Sequence, residues 1–468
     1  MKSIKPVIIS GREVHPIIEG GKGVAVSNGR SAGAFAAAGC VGTFSGVNAD
    51  SYDDQGNPIP QVYKSKTRKE RFEELIAYAI EGGIAQARIA HEGSNGNGRI
   101  HMNTLWEAGG TERVIHGVLE GAKGLVHGVT CGAGMPYKMA EIAAQYNVYY
   151  YPIVSSMRAF RALWKRSYSK HAGLLGGVVY EDPWKAGGHN GLSNAERHDE
   201  PQDPFPRVAE IRKFMNSVGL NDVPVIMAGG VWYLRDWDEW LYNPEIGPVA
   251  FQFGSRPLLT QESPIPDSWK KRLLNLKEGD ITLNKYSPTG FYSSQLNNDF
   301  LKELGARAGR QVAYSRKPTD ELTGEVKVGA RGRSIFVPAD KVADVEGWIA
   351  AGYTEAMRTP DDTMIFVAPE RAQKILADQA ACMGCLSACA FSNWADNEEN
   401  TTGRLADPRS FCIQKTLQDI AHGGSVEDNL AFAGHNAFKF ADDPLFQSGH
   451  EGKFPTVAEL IDQILTGN

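Results

Sequence analysis

The chain has 468 residues, two to three times the usual domain size, so it holds one large barrel with an appendage or a few smaller units. Hydrophobic residues make up 42% and charged residues 22%, which excludes global disorder. With 49 Lys plus Arg against 55 Asp plus Glu, a net charge of −6 excludes a basic nucleic-acid surface as the global design. No stretch reaches the roughly 18 apolar residues of a membrane span. The N-terminus carries only the short apolar run Val7-Ile8-Ile9, so a soluble, unexported, cytoplasmic protein is expected. The 51 glycines follow no repeat, which points to many tight loops close to a ligand.

From Met1 to about Thr260, short apolar runs alternate with amphipathic segments. Val41–Phe44 reads as a strand closed by Ser45-Gly46. Phe72, Leu75, Ile76, Ala79 and Ile80 form the stripe of a core-facing helix. Strands follow at Gly124–Val129, Asn147–Val154, Leu174–Tyr180, Pro224–Ala228 and Val249–Phe253, with helices near Tyr137–Tyr146, after Ser155-Ser156, and over Arg207–Val218. This β-α alternation over some 250 residues has the length of a parallel (β/α)8 TIM barrel, though a doubly wound sheet gives the same local signal. Asp267–Leu304 is more polar and is a candidate lid. Residues 305–369 read as an inserted small β-rich segment, and residues 370–468 as a mostly helical region carrying clustered cysteines. The expected units are therefore 1–304, 305–369 and 370–468.

In either α/β fold, ligands bind beyond the C-terminal ends of the strands. Four Gly-rich loops stand there in succession: Gly132-Ala133-Gly134, Gly187-Gly188-His189-Asn190-Gly191, Gly229-Gly230 and Gly254-Ser255-Arg256. A single Gly-Gly is most often an ordinary turn. The ordered pair Gly229-Gly230 and Gly254-Ser255 offers converging N–H groups with no Cβ in the way, and a following helix N-terminus, as a phosphate needs. His189 lies on such a loop and is expected to titrate near neutrality at the mouth. The Gly/Asn-rich loop between His91 and His101 is a second candidate for that mouth.

The run Pro16–Asn28, with Gly20-Gly21-Lys22-Gly23, resembles the start of the nitronate monooxygenase family, which includes FMN-dependent enoyl-ACP reductases. The likeness continues through Gly132–Pro136, Pro152–Ser156, Ala186–His189, Pro224–Gly230, Gly254–Arg256 with Thr260–Ser263, and Ser287–Gly290. It implies a TIM barrel with FMN at its mouth. Gly21, Lys22 and Gly23 would then lie against the flavin ring. Glu181 would approach the ribityl chain, and Gly188, Gly229, Gly230, Gly254 and Ser255 would border the cofactor and its phosphate. His189 would be the active-site histidine. Glu19 and Lys22 stand where relatives often carry Gln and Met, and a lysine there could stabilise an anionic reduced ring.

Cys382, Cys385 and Cys389, with Cys412 following after 22 intervening residues, form a C-x2-C-x3-C plus C pattern. Four thiolates suit a [4Fe–4S] cluster or a tetrahedral zinc, and the three-plus-one spacing leans to iron–sulfur. The expected function is FMN-dependent oxidation of a nitronate or similar small substrate. The alternative is a flavin ene-reductase acting on an activated C=C bond, fed by NAD(P)H or a redox partner protein. A non-redox phosphate-binding lyase or isomerase is a further alternative. Specificity would reside in the lid, the 92–105 segment and the 305–369 insertion. The oligomeric state stays open, a homodimer included.

Overall fold

The computed structural model describes residues 4–397 and 400–467. Eight parallel strands close into a barrel: β1 (Ile17–Glu19), β2 (Val41–Ser45), β3 (Arg99–Leu105), β4 (Gly128–Gly132), β5 (Tyr149–Val154), β6 (Val178–Glu181), β7 (Val225–Ala228) and β8 (Val249–Phe253). Closure comes from β8 against β1, with Phe251 opposite Ile17 and Phe253 opposite Glu19. The TIM barrel is thus settled over the doubly wound sheet. Six helices separate the first seven strands: α1 (Gly29–Ala37), α2 (Arg68–Gly93), α3 (Thr111–Gly121), α4 (Met139–Tyr146), α5 (Met157–Arg166) and α6 (Pro204–Ser217). The stripe of Phe72, Leu75, Ile76 and Ala79 is buried on α2, which begins in a capping box between Thr67 and Glu70.

Directly after β7 and β8 the regular helices of the ring give way to 3₁₀ turns, and the next α-helix is Asp267–Leu274. Single 3₁₀ turns, Leu234–Trp237 and Arg256–Leu259, follow β7 and β8. The C-terminal helix Val457–Thr466 packs against α1, covering that flank of the barrel. Its Val457, Leu460, Ile461 and Ile464 are buried at i, i+3, i+4 and i+7 spacing.

The bottom of the barrel is plugged by the hairpin Val7–Ile9/Arg12–Val14. Ile9 and Val14 pack on Ile18, Val41, Tyr151, Val179 and Ile226. Here lies His101, 1% exposed, with its Nε2 2.9 Å from Ser10 Oγ, itself 2.7 Å from Tyr151 OH. The segment linking α2 to β3 therefore faces the N-terminal end of the barrel. That loop does not reach the mouth, which corrects the reading of the His91–His101 loop; of residues 92–105, the end of β3 does reach it, with Asn103 and Leu105 lining the cavity there.

Beyond the barrel, Gln311–Ala313, Glu355–Arg358 and Thr363–Val367 form a three-stranded antiparallel sheet beside the hairpin Gly324–Val328/Arg333–Val337 and the helix Val342–Ala350. This unit has its own core of Val312, Val326, Ile335, Val337, Val345 and Phe366. No helix among the described residues is long and apolar enough to cross a membrane.

Candidate active site

At the C-terminal mouth lies a cavity of about 1380 Å³, the open entrance included. Gly21, Lys22, Gly23, Glu181, Gly188, His189, Gly229, Gly230, Gly254 and Ser255 all line it. The ten residues singled out in the sequence are thus brought together, drawn from the ends of β1, β6, β7 and β8.

The part of the cavity at the ends of β7 and β8 is built from main chain. Gly229 and Gly230 take φ of +90° and +76°, a left-handed conformation that side chains other than glycine resist. No backbone acceptor among the described residues takes the N–H of Gly230 or of Ser255. A Cβ placed on Gly254 would project into open space within this cavity, meeting nothing within 4 Å. A cradle that a side chain would fill, bordered by free donors, fits a phosphate. The helix N-terminus expected to aid it is absent, since only 3₁₀ turns follow these loops.

Two contributors escaped the sequence reading. Lys185 lies over Gly230, whose added Cβ would meet Lys185 Cδ at 2.7 Å. An Asx turn sets it there: Asp182 Oδ1 accepts the N–H of Trp184 and of Lys185, each at 2.9 Å. The Asp-Pro-x-Lys run ahead of Gly187-Gly188 was the readable signal. The second is the segment 432–437. Gly434 N–H donates to Ser255 Oγ at 2.8 Å, Asn436 Nδ2 to the Gly230 carbonyl at 2.8 Å, and His435 N–H to the Lys185 carbonyl at 3.0 Å. This stretch roofs both phosphate loops, and no local motif announces it.

The loop after β1 lines another part of the cavity. Gly21 packs directly on Asn103, so an added Cβ would fall 2.1 Å from Asn103 Cβ. Lys22 Nζ donates to Glu19 Oε1 at 3.3 Å and to the Gly20 carbonyl at 2.7 Å. Glu19 is fully buried and also accepts Ser31 Oγ–H at 2.7 Å and the Thr43 N–H at 3.3 Å. Burial pushes the Glu19 carboxyl up and the Lys22 ammonium down, and their mutual attraction opposes both shifts. The lysine charge is thus already matched inside the protein.

His189 sits on the two-residue strand Gly188–His189, paired with Ser293–Ser294 of the hairpin Ile281–Asn284/Ser293–Leu296. Its Nε2 lies 2.6 Å from Ser287 Oγ, and its ring meets Phe432 edge-on at 5.4 Å. Burial lowers its pKa to about 4. The histidine is therefore neutral at physiological pH, a correction to the expectation of titration near 7. Glu181 is pushed up to about 8 by burial first and by the neighbouring Asp182 charge second. It can present a protonated carboxyl to a hydroxyl-rich chain.

Cys382 and Cys389 are buried, Cys385 and Cys412 partly so, and all four are free thiols. Among the described residues no three His, Cys, Asp or Glu side chains stand close enough to share one metal ion. The compact tetrahedron that zinc requires is not formed.

Glycine-rich loops, Lys185 and a neutral histidine thus surround one cavity at the mouth of a closed β/α barrel, the usual place of the active site in TIM-barrel enzymes. Residues 9–334 match the nitronate monooxygenase family model, and the chain belongs to that family. It is accordingly an FMN-dependent oxidoreductase, which sets aside the non-redox lyase or isomerase. Similar solved structures include FabK from Thermotoga maritima (18% identity, 62% of this chain and 74% of that one, TM-score 0.41). Nitroalkane oxidase from Streptomyces ansochromogenes is 17% identical over 62% of this chain and 79% of its own, with a TM-score of 0.41. The enoyl reductase domain of MlnA from Bacillus amyloliquefaciens is 12% identical, covers 97% and 95% of the two chains, and has a TM-score of 0.43. No curated protein sequence matches the chain.

Proposed function

We propose that this enzyme oxidises a small carbanionic substrate, a nitronate, with dioxygen as the terminal oxidant. Bound FMN supplies a ring that takes up electrons from the substrate. Gly229, Gly230, Gly254 and Ser255 hold its phosphate through N–H groups, and Lys185 supplies the compensating charge. Glu181 hydrogen-bonds the ribityl chain, and Gly21 and Gly23 leave room for the ring. The observation that carries the reading is the neutral His189 fixed by Ser287. A base whose conjugate acid has a pKa of about 4 is too weak to remove a proton from a nitroalkane carbon near neutrality. It can still hydrogen-bond an anion that arrives already deprotonated, so nitronates should turn over and neutral nitroalkanes should not. Steady-state assays under air without NAD(P)H test this directly. Equal rates with both forms at matched pH would end the proposal.

The gathered cysteines favour a second reading, ene-type reduction of an activated C=C bond with electrons from NAD(P)H or a redox partner. Anaerobic bleaching of the flavin by NAD(P)H, with no aerobic nitronate turnover, would select it.

A further inference from the structure

We propose that Cys382, Cys385, Cys389 and Cys412 together bind a [4Fe–4S] cluster beside the flavin cavity. Three observations converge on this site. First, every one of the four thiols interacts electrostatically with the other three, so Cys412 shares one locale with residues 23 to 30 positions before it. Yet no three are within reach of a single ion. A tetrahedral zinc with bonds of about 2.3 Å needs sulfurs roughly 3.8 Å apart. A cuboidal cluster, whose four irons each take one thiolate, needs them farther apart.

Second, the sulfurs are ringed by donors rather than by apolar groups alone. Cys389 accepts the N–H of Ser392 and of Phe391, Cys412 that of Lys415, and Cys385 that of Gln414. Ser392 Oγ lies 3.1 Å from Cys382 Sγ. Such hydrogen bonds stabilise thiolates and tune a cluster's potential. Third, the thiols are anchored by rigid elements. Arg71 Nε of α2 donates to the Cys382 carbonyl at 2.9 Å, the Gly109 N–H to the Cys385 carbonyl at 3.1 Å, and Cys389 pairs with Trp394 in a short hairpin.

Cys412 caps the helix Ile413–Ala421, and Leu417 and Ile420 of that helix line the flavin cavity. Five residues of helix span about 8 Å, so the two sites share one wall. A ferredoxin- or flavodoxin-class carrier would deliver electrons here singly. Two such deliveries, with two protons from water, balance a two-electron reduction of the flavin. This relay rests on the ene-reduction reading above, whereas the cluster itself does not.

The test is iron, acid-labile sulfide, zinc and FMN analysis of the full chain purified without oxygen, together with the EPR spectrum after dithionite. About four iron and four sulfide per chain, with a reduced-cluster signal, are expected. Stoichiometric zinc without sulfide, or folded protein with neither metal, would overturn the cluster. Cluster without FMN would overturn the flavin reading and leave the cluster standing. Cys389→Ser should lose the sulfide, whereas Cys40→Ser, at a buried cysteine outside the group, should keep it. Equal sulfide in both variants counts against the assignment, and the wild-type analysis decides the matter even if Cys389→Ser fails to fold.

Discussion

Arg256 and Asp443, 187 residues apart, hold each other at 3.0 Å with neither side chain exposed to solvent. Trp232 Nε1–H donates to the same carboxylate oxygen at 2.9 Å, and Gln463 Nε2 to the other at 3.0 Å. Arg256 also donates to the Trp232 carbonyl at 2.8 Å and to Gln463 Oε1. The residue next to the phosphate cradle is thereby tied to the C-terminal helices. Removing one partner of a buried ion pair strands the other charge. Asp443→Asn should therefore cost about 3 kcal/mol, read by chemical denaturation, and weaken FMN binding in the same protein.

The cradle itself is tested by Gly254→Val. Because nothing lies within 4 Å of the added Cβ, the fold should survive. The valine occupies phosphate space, so FMN affinity should drop at least about tenfold, or about 1.4 kcal/mol. Lys185→Ala should produce a loss of similar size that shrinks as salt is raised. Equilibrium titration of the apo-protein with FMN measures both.

Lys22→Met separates charge compensation from flavin tuning. With its partner gone, Glu19 must take up a proton in a buried site. Bringing a carboxyl of pKa near 4.5 to neutrality at pH 7 costs about 3 kcal/mol. The double variant Glu19→Gln/Lys22→Met should recover most of that in unfolding experiments. Since the pair is neutral as a whole, neither variant should move the flavin midpoint far. A shift beyond roughly 30 mV would mean that the lysine charge does reach the ring.

Two half-buried groups give opposite pH signatures in the apo-protein. His189 has its pKa lowered to about 4, so the unfolded chain binds the extra proton and stability rises with pH from about 4 to 6.5. Glu181 has its pKa raised to about 8, so the folded chain holds the proton and stability falls as pH climbs from about 4.5 to 8. His189→Gln should flatten the first slope and Glu181→Gln the second, in thermal melts across pH. In catalysis, Ser287→Ala removes the hydrogen bond that orients His189 and should lower kcat/KM about fivefold, the worth of roughly 1 kcal/mol.

The barrel was legible wherever local pattern and tertiary role agree. Val41–Ser45, Val225–Ala228 and Val249–Phe253 are apolar runs that a parallel sheet buries on both faces, and glycine marks the ends of the strands that bear the site. The strand Arg99–Leu105 was missed because Arg99, His101, Asn103 and Thr104 interrupt it. Its His101 is satisfied at the barrel floor by Ser10, a partner 91 residues away. The pKa of His189 was misjudged because burial comes from Phe432 and the 281–296 hairpin, which sequence proximity does not reveal. The role of Gly434 and Asn436 was invisible for the same reason, since their partners lie 179 and 206 residues away.

That roof has an evolutionary corollary. The family match ends at residue 334, yet the ceiling over the cradle is contributed by residues 432–437. Drift in the tail can therefore retune cofactor retention and substrate entry while every shared motif stays intact. Chimeras that exchange only this tail between relatives would vary chemistry on a constant barrel.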